Sequence, residues 1–528
     1  SVTVTAVIYA LMVYAGHPVY HSGDDLNIAW ILGDGFGAGP STCLPFLHNM
    51  HYWLSTPIAW LFSHYPDINW FSWSMLLTEY AAATAICYVL LRRYSWQMAL
   101  GFFLLIMSVY GSFLLVYLHN SSASAMAITA SLLLIWHTFT WPASRRTLIV
   151  AALLFLTGTL FRLHVAFPLL VVAGPFFLLV QGWKKKFQVA GLMAVLLAIS
   201  FLFVFIQEKH YQSGCANWQS EETYRQAKYS NINYFRDADK PALAPYRVEL
   251  ALLDDLILPD TVTVPVAALQ QIAKESVSRR PVAEIFSRDV TYWTFMNNRL
   301  TILTALLCLY IFYASRRQFL VMLASLAAAL AIVLYLLAFM KLPEFMIPTL
   351  LICFTVLAAA SGAPGSGSLS KKKTIIFALI LFLFAWGAVR TYKTGRVNRQ
   401  SYEGFQKVHA ALLQRPDLLY INMNDDEYFK YVSIFATPAK YPLRNFLFTD
   451  QPLSLRDQAL LRDFGYTGFR EAVSNPRVRF SGHKLGSVQA YFERTTSKKF
   501  QWGEPDTSNN SLRIYKPILV DSVTTDSK

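Results

Sequence analysis

Between Tyr20 and Trp30 the chain reads YHSGDDLNIAW, so two adjacent carboxylates, Asp24 and Asp25, follow directly on an apolar run from Val2 to Val19. A carboxylate held beside a substrate can take the proton from a hydroxyl nucleophile. Further along, FRLHVAF places Arg162 and His164 in one short turn between apolar runs, and MKLPEFMIP places Lys341 and Glu344 in another. Arg grips phosphate with a planar fork, whereas Lys acts as a point charge. A base and fixed cations are the parts needed to attack with a hydroxyl while a phosphate leaves. Around them, Glu79 lies inside the apolar run LLTEYAAA, where a carboxyl is costly unless paired or facing a wet cavity, and it reads as support for the site. The turn HNSS offers His119 and Asn120 as cavity-lining groups, or simply as a helix end. Of the two aspartates, either can cap the helix beginning near Leu26 and leave the other as base.

The elements that must carry these residues are membrane spans. The chain has 528 residues, 55% hydrophobic and only 15% charged, too apolar for a soluble protein of several domains. Runs of about 17 to 25 residues almost free of charge recur along it, each long enough to cross a bilayer as a helix. A transmembrane barrel would instead show alternating segments of about ten residues. The net charge of +14 sits in small clusters between the runs, with no continuous basic stripe, so nucleic acid is not an expected partner.

Arg92-Arg93, Arg145-Arg146, Lys184 to Lys186, Arg316-Arg317 and Lys371 to Lys373 are placed on the cytoplasmic side by the positive-inside rule. Counting between them predicts an α-helical integral membrane protein of about eleven spans. The first is the Val2 to Val19 run, read as a first spanning helix and not as a signal peptide. The others are 70–91, 97–118, 121–139, 147–162, 165–182, 187–206, 299–315, 318–338, 343–362 and 374–390. If the run Leu44 to Phe62 also crossed, every later basic cluster would move outside; Pro57, His48, His51, Trp53 and Trp60 suit interfacial helices instead. Residues 20–69 are then one external loop and 207–298 an external insertion. Residues 1–390 form the membrane module and 391–528 an external α/β domain, with strand-like runs such as LLYINM and NFLFTD. The tail opens with Arg390, Lys393, Arg396 and Arg399, which locally breaks the positive-inside pattern.

An active site on the external face has no access to cytosolic nucleotides, so a transferred group must arrive on a lipid carrier, and a sugar on a polyprenyl phosphate meets that need. GDDLNIAW after the first helix, interfacial helices before the second, and the turns FRLH and KLPEFMIP together resemble the GT-C superfamily of integral membrane glycosyltransferases over about residues 1–390. The chain departs from many relatives in having Lys341 and Phe345 where an Arg-Tyr pair often precedes the proline. The resemblance implies an inverting transfer from a polyprenyl-phosphate sugar to a cell-envelope glycan or lipid acceptor, at the periplasmic face of a bacterial inner membrane. It implies Asp24 or Asp25 as base and Arg162, His164 and Lys341 at the donor phosphate, with Glu79, His119, Asn120 and Glu344 around the cavity.

Other readings have their own signals. A polysaccharide polymerase or O-antigen-ligase-type enzyme would work through insertion arginines such as Arg225, Arg236 or Arg279. A lipid or glycan transporter would need midplane polar groups on several helices, and Glu79 stands nearly alone. No cofactor is called for and a divalent metal is left open: His48 and His51 with His21 or an Asp have a ligand's chemistry, but unliganded interfacial histidines are the plainer reading. The run NDDE from Asn424 to Glu427 reads as a helix start on a solvated surface. Cys43 and Cys215, both external, are a disulfide pair if they come within bridging distance.

Overall fold

The computed structural model describes the chain apart from residues 21–22, 38–49, 142–143, 217, 259–261, 288–289, 291, 363–369, 424–430, 449–459, 467, 483–484, 497, 505–513 and 521–528. His21, Cys43, His48 and the NDDE run therefore lie outside the described residues. The rest is mostly helical, and five stretches are long and apolar enough to cross a membrane: Trp70–Arg93, Asn120–Thr140, Arg145–Phe177, Trp183–Gly214 and Arg316–Phe339. The shorter apolar helices Val2–Gly16, Trp96–Gly111, Arg299–Phe312 and Met346–Ser361 lie among them. This is an integral membrane protein.

In chain order the elements that matter are α1 (Val2–Gly16), β1 (Val19–Tyr20), α2 (Gly23–Leu32), α3 (Tyr52–His64), α4 (Trp70–Arg93), α5 (Trp96–Leu114), β2 (Tyr117–Leu118) and α6 (Asn120–Thr140). They continue with α7 (Arg145–Arg162), α8 (Ala166–Phe177), α9 (Trp183–Gly214), α10 (Trp218–Ile232), α11 (Arg247–Asp254) and α12 (Val266–Ser276). After these come α13 (Arg299–Phe312), α14 (Arg316–Phe339), α15 (Met346–Ser361) and α16 (Ser370–Leu413). Local chemistry starts several of them. Asn69 accepts from the Ser72 amide at α4, His119 from Ser121 at α6, Ser144 from Arg146 at α7 and Ser315 from Gln318 at α14.

The helix ends gather at two opposite faces. At one, the Arg93 guanidinium lies over the rings of Trp136 and Trp141, Lys185 reaches the Phe139 carbonyl, Arg317 donates to the Leu178 carbonyl, and the Tyr94 hydroxyl donates to the carbonyls of Ala359 and Gly362. Three of the five basic clusters thus share one end of the bundle. At the other, β1 pairs in parallel with β2, and Arg162 reaches Ser121. The turn after α14 is tied there to the insertion: the Lys341 amide donates to the Asn233 carbonyl.

That second face carries a further body. Strands β3 (Leu419–Asn422), β4 (Phe446–Phe448), β5 (Val478–Ser481) and β7 (Ile514–Tyr515) form a sheet in the order β4-β3-β5-β7, parallel but for the antiparallel β7. β3 is buried along its whole length, as the run of apolar side chains in LLYIN requires of a strand covered on both faces. β6 (Lys499–Trp502) pairs antiparallel with β8 (Pro517–Val520). Tyr224, Leu253 and Leu269 of the insertion share one apolar core with Leu419, Phe480 and Phe492 of the tail. Arg494 adds an ion pair to Glu249 at 2.7 Å. Insertion and tail therefore lie on the same side of the membrane bundle, with α13 to α16 between them in the chain. The first loop joins them: Trp30 Nε1 donates to the Tyr441 carbonyl at 2.8 Å, and Asn69 Nδ2 to the Ala436 carbonyl at 2.7 Å.

α16 is one helix of 44 residues that runs past Arg390 without interruption. It crosses α1 at backbone distance: a Cβ added at Gly395 would lie 2.1 Å from the Ala15 carbonyl oxygen, so only glycine fits there.

Candidate functional site

The site is built on the N-terminus of α6. His119 caps it, its Nδ1 accepting from the Ser121 amide at 2.8 Å. That bond assigns the ring proton to Nε2, which faces Asp25 Oδ2 at 3.7 Å. The other oxygen, Asp25 Oδ1, accepts from the Asn120 amide at 3.1 Å. A helix N-terminus presents its first amides and the positive end of its dipole, so a carboxylate is favoured there as an anion. Adjacent positions on α2 point about a quarter turn or more apart. Asp25 is accordingly only 1% exposed, and Asp24 faces solvent.

Ser121 links this carboxylate to a cation. Arg162 Nη1 donates to Ser121 Oγ at 2.7 Å, and Ser124 Oγ donates to the Arg162 carbonyl at 3.1 Å. Arg162 leaves α7 in extended backbone, φ −163°, which breaks the helix and lets α8 turn back. Phe345 forms a floor under both halves: its ring centroid is 5.1 Å from that of His119 and 6.0 Å from the Arg162 guanidinium carbon. Base candidate and guanidinium thus contact successive residues, Asn120 and Ser121, of one helix terminus.

The remaining sequence candidates distribute around it. His164 follows Arg162 in the same turn. Although its ring touches solvent, the protein around it and then the charges of Arg162 and Arg225 hold its imidazole below the ordinary value. Lys341 is exposed four residues before Phe345, and its ammonium makes no hydrogen bond or ion pair among the described residues. Glu344 is exposed, and its charge is felt by the Tyr117 phenol, which is raised first by burial, then by Tyr431, with Arg390 opposing and Glu344 adding. Glu79 is elsewhere: fully enclosed on α4, it accepts from the Tyr9 hydroxyl at 3.5 Å.

Two contributors were not singled out from sequence as site residues. Phe345 carries no polar signal at all; only the HNSS and KLPEF turns meeting in space reveal it. Ser121 lies within the flagged HNSS turn, but its role depends on Arg162, 41 residues away. Of the insertion arginines, Arg225 forks onto Glu222 at 2.6 Å through two bonds, Arg236 pairs with Asp254, and Arg279 stacks on Phe339. Among the described residues no group of three or more His, Cys, Asp or Glu is placed to hold a metal. Cys215 is disulfide-bonded, while Cys87, Cys308 and Cys353 are free thiols.

No family model and no curated protein matches the chain. It is similar in structure to ArnT from Cupriavidus metallidurans. The crystal structure of that protein bound to undecaprenyl phosphate aligns over 97% of this chain and 96% of its own, at 10% identity and a TM-score of 0.43. Its apo form aligns over the same 97% and 96%, at 11% identity and a TM-score of 0.42.

Proposed function

We propose that the chain is a membrane glycosyltransferase of the GT-C type that moves a sugar from a polyprenyl-phosphate donor to a hydroxyl of a cell-envelope glycan or lipid. The observation that carries the reading is the N-terminal turn of α6, where the Asn120 amide holds Asp25 and Ser121 holds Arg162. In this reading Asp25 removes the acceptor proton, the acceptor oxygen bonds to the anomeric carbon, and the bond from that carbon to the phosphate oxygen breaks with inversion. Arg162 and the exposed Lys341 stabilise the charge that builds on the departing phosphate. The His119 Nε2 proton, aimed at Asp25, supports the carboxylate form of the base. His164, uncharged at neutral pH, lets Arg162 keep its charge without a second cation beside it.

The eleven-crossing topology belongs to this proposal. α1, α4 to α9 and α13 to α16 alternate between the two faces, and the positive-inside rule assigns the basic end to the cytoplasm of a bacterial inner membrane. The α6 turn, the insertion and the tail are then periplasmic, and the membrane module passes into the external body along α16 near Arg390. Arg225 bears on His164 and belongs to the same site, but Glu222 already neutralises it, which favours Arg162 over the insertion arginines of a polymerase or ligase. The test is release of free polyprenyl phosphate from a labelled polyprenyl-phosphate sugar by the purified protein with cell-envelope acceptor added. Release that requires acceptor supports the reading, and no release with any envelope fraction overturns it.

A further inference from the structure

A cavity of about 620 Å³ opens between α1, α4, α16 and the tail loop at 433–435. That volume is in the range of about 300–1,000 Å³ typical of small-molecule sites. Its depth is lined by apolar side chains of α1 and α4, including Ala6, Ala10 and Leu77, at the level of the membrane spans. Its mouth is polar, formed by His17, Asn398 and Arg399 where those helices leave the apolar layer. Neither Asp25 nor any residue of the α6 terminus lines it.

The mouth is built for an anion. Arg399 donates to His17 Nε2, so its immediate partner is a neutral ring and its charge is left uncompensated. His17 holds this position by ending α1 in the left-handed region, φ 41°, an unfavourable conformation for a side chain larger than glycine. Asn398 donates to the Gly16 and His17 carbonyls, which fixes the end of α1 against α16. Arg399 is also the last of four cations, Arg390, Lys393, Arg396 and Arg399, spaced three apart up α16. None of them makes an ion pair among the described residues. This run is the one local break in the positive-inside pattern, and a negative lipid surface would account for it.

We infer that the groove between α1, α4 and α16 binds an anionic phospholipid of the membrane, an acyl chain lying along Ala6, Ala10 and Leu77 and the phosphate headgroup at Arg399. Chain burial supplies the anchoring and the guanidinium supplies headgroup selection. The site goes beyond the proposed transfer, since its occupant is a resident lipid and not a reactant.

The experiment uses the full chain in phosphatidylcholine nanodiscs carrying a trace of photoactivatable phosphatidylglycerol or, in parallel, photoactivatable phosphatidylcholine, with labelled peptides read by mass spectrometry. The parent should label residues 6–19 and 433–435 about tenfold more with the phosphatidylglycerol probe, as one charge-assisted contact would give. Arg399→Gln should remove that preference, and Ala10→Trp, which fills the groove from an exposed position of α1, should remove labelling there by both probes. Equal labelling of the parent by the two probes would reduce the groove to ordinary lipid boundary and overturn the inference. So would displacement of the phosphatidylglycerol probe by an equal amount of undecaprenyl phosphate, which would make it a substrate site. The readout involves no transfer, so its failure leaves the glycosyltransferase reading separately testable.

Discussion

Replacing Ser121 by alanine is expected to lower transfer about tenfold while leaving folding intact, and to do so only when Arg162 is present. The hydroxyl accepts from the Arg162 guanidinium at 2.7 Å. A hydrogen bond to a charged group contributes about 1.5–3 kcal/mol, and because Arg162 is half-buried, water replaces part of it, which points to the lower end. About 1.4 kcal/mol corresponds to one factor of ten. Arg162→Ala removes the cation proposed to face the phosphate, and the loss should reach roughly 10²–10³-fold in turnover, as for a donor to a developing oxyanion. Arg162→Lys should recover only part of this, since the fork is lost, and Lys341→Ala should act mainly on donor binding. In a double-mutant cycle read as turnover at saturating lipid donor, Ser121→Ala should add almost nothing in the Arg162→Ala background. Additive losses, or Arg162→Ala within about threefold of the parent, would refute the role given to this pair.

Three further outcomes follow from the fold. Burial holds His51 and His164 below the ordinary imidazole value of about 6.5, as burial and then Arg399 do for His17. The unfolded chain therefore takes up protons first as pH falls, so stability should be constant above about pH 6.5 and decline below it through the lower folded values; thermal unfolding that improved over that window would contradict the assignment. Reducing the Cys215 disulfide, or Cys215→Ser, should cost roughly 2–5 kcal/mol of stability, and an unchanged unfolding temperature under reductant would contradict it. Gly395→Val should destabilise by about 1–3 kcal/mol, because its Cβ would sit 2.1 Å from the Ala15 carbonyl oxygen; an unshifted transition would mean that α1 and α16 do not cross there.

Apolar run length and basic clusters made the membrane character legible, and of the five clusters put on one side, three meet at one end of the bundle. The same signals made Asp25, His119, Asn120 and Arg162 candidates, and these converge at the α6 terminus. Sequence could not choose between Asp24 and Asp25, because the choice is a helix phase: one faces inward onto the α6 terminus and the other is exposed. Nor could it separate Glu79 from the site, since its partner Tyr9 comes from a different helix 70 residues away. The insertion and tail read as two segments because each has only part of an apolar core; Tyr224 and Phe480 complete it only in space. Phe345 was legible only as a departure from a family pattern, and its use as a floor for His119 and Arg162 required the fold.

The central claim is that Asp25, and not its neighbour, takes the acceptor proton. The direct measurement is sugar transfer from a polyprenyl-phosphate donor by Asp25→Asn and Asp24→Asn, each checked for membrane insertion and donor binding. Asp25→Asn should bind donor and lose transfer by at least about 10²-fold, the scale of general-base catalysis, while Asp24→Asn stays near the parent. Full activity in Asp25→Asn, or loss confined to Asp24→Asn, would contradict the account.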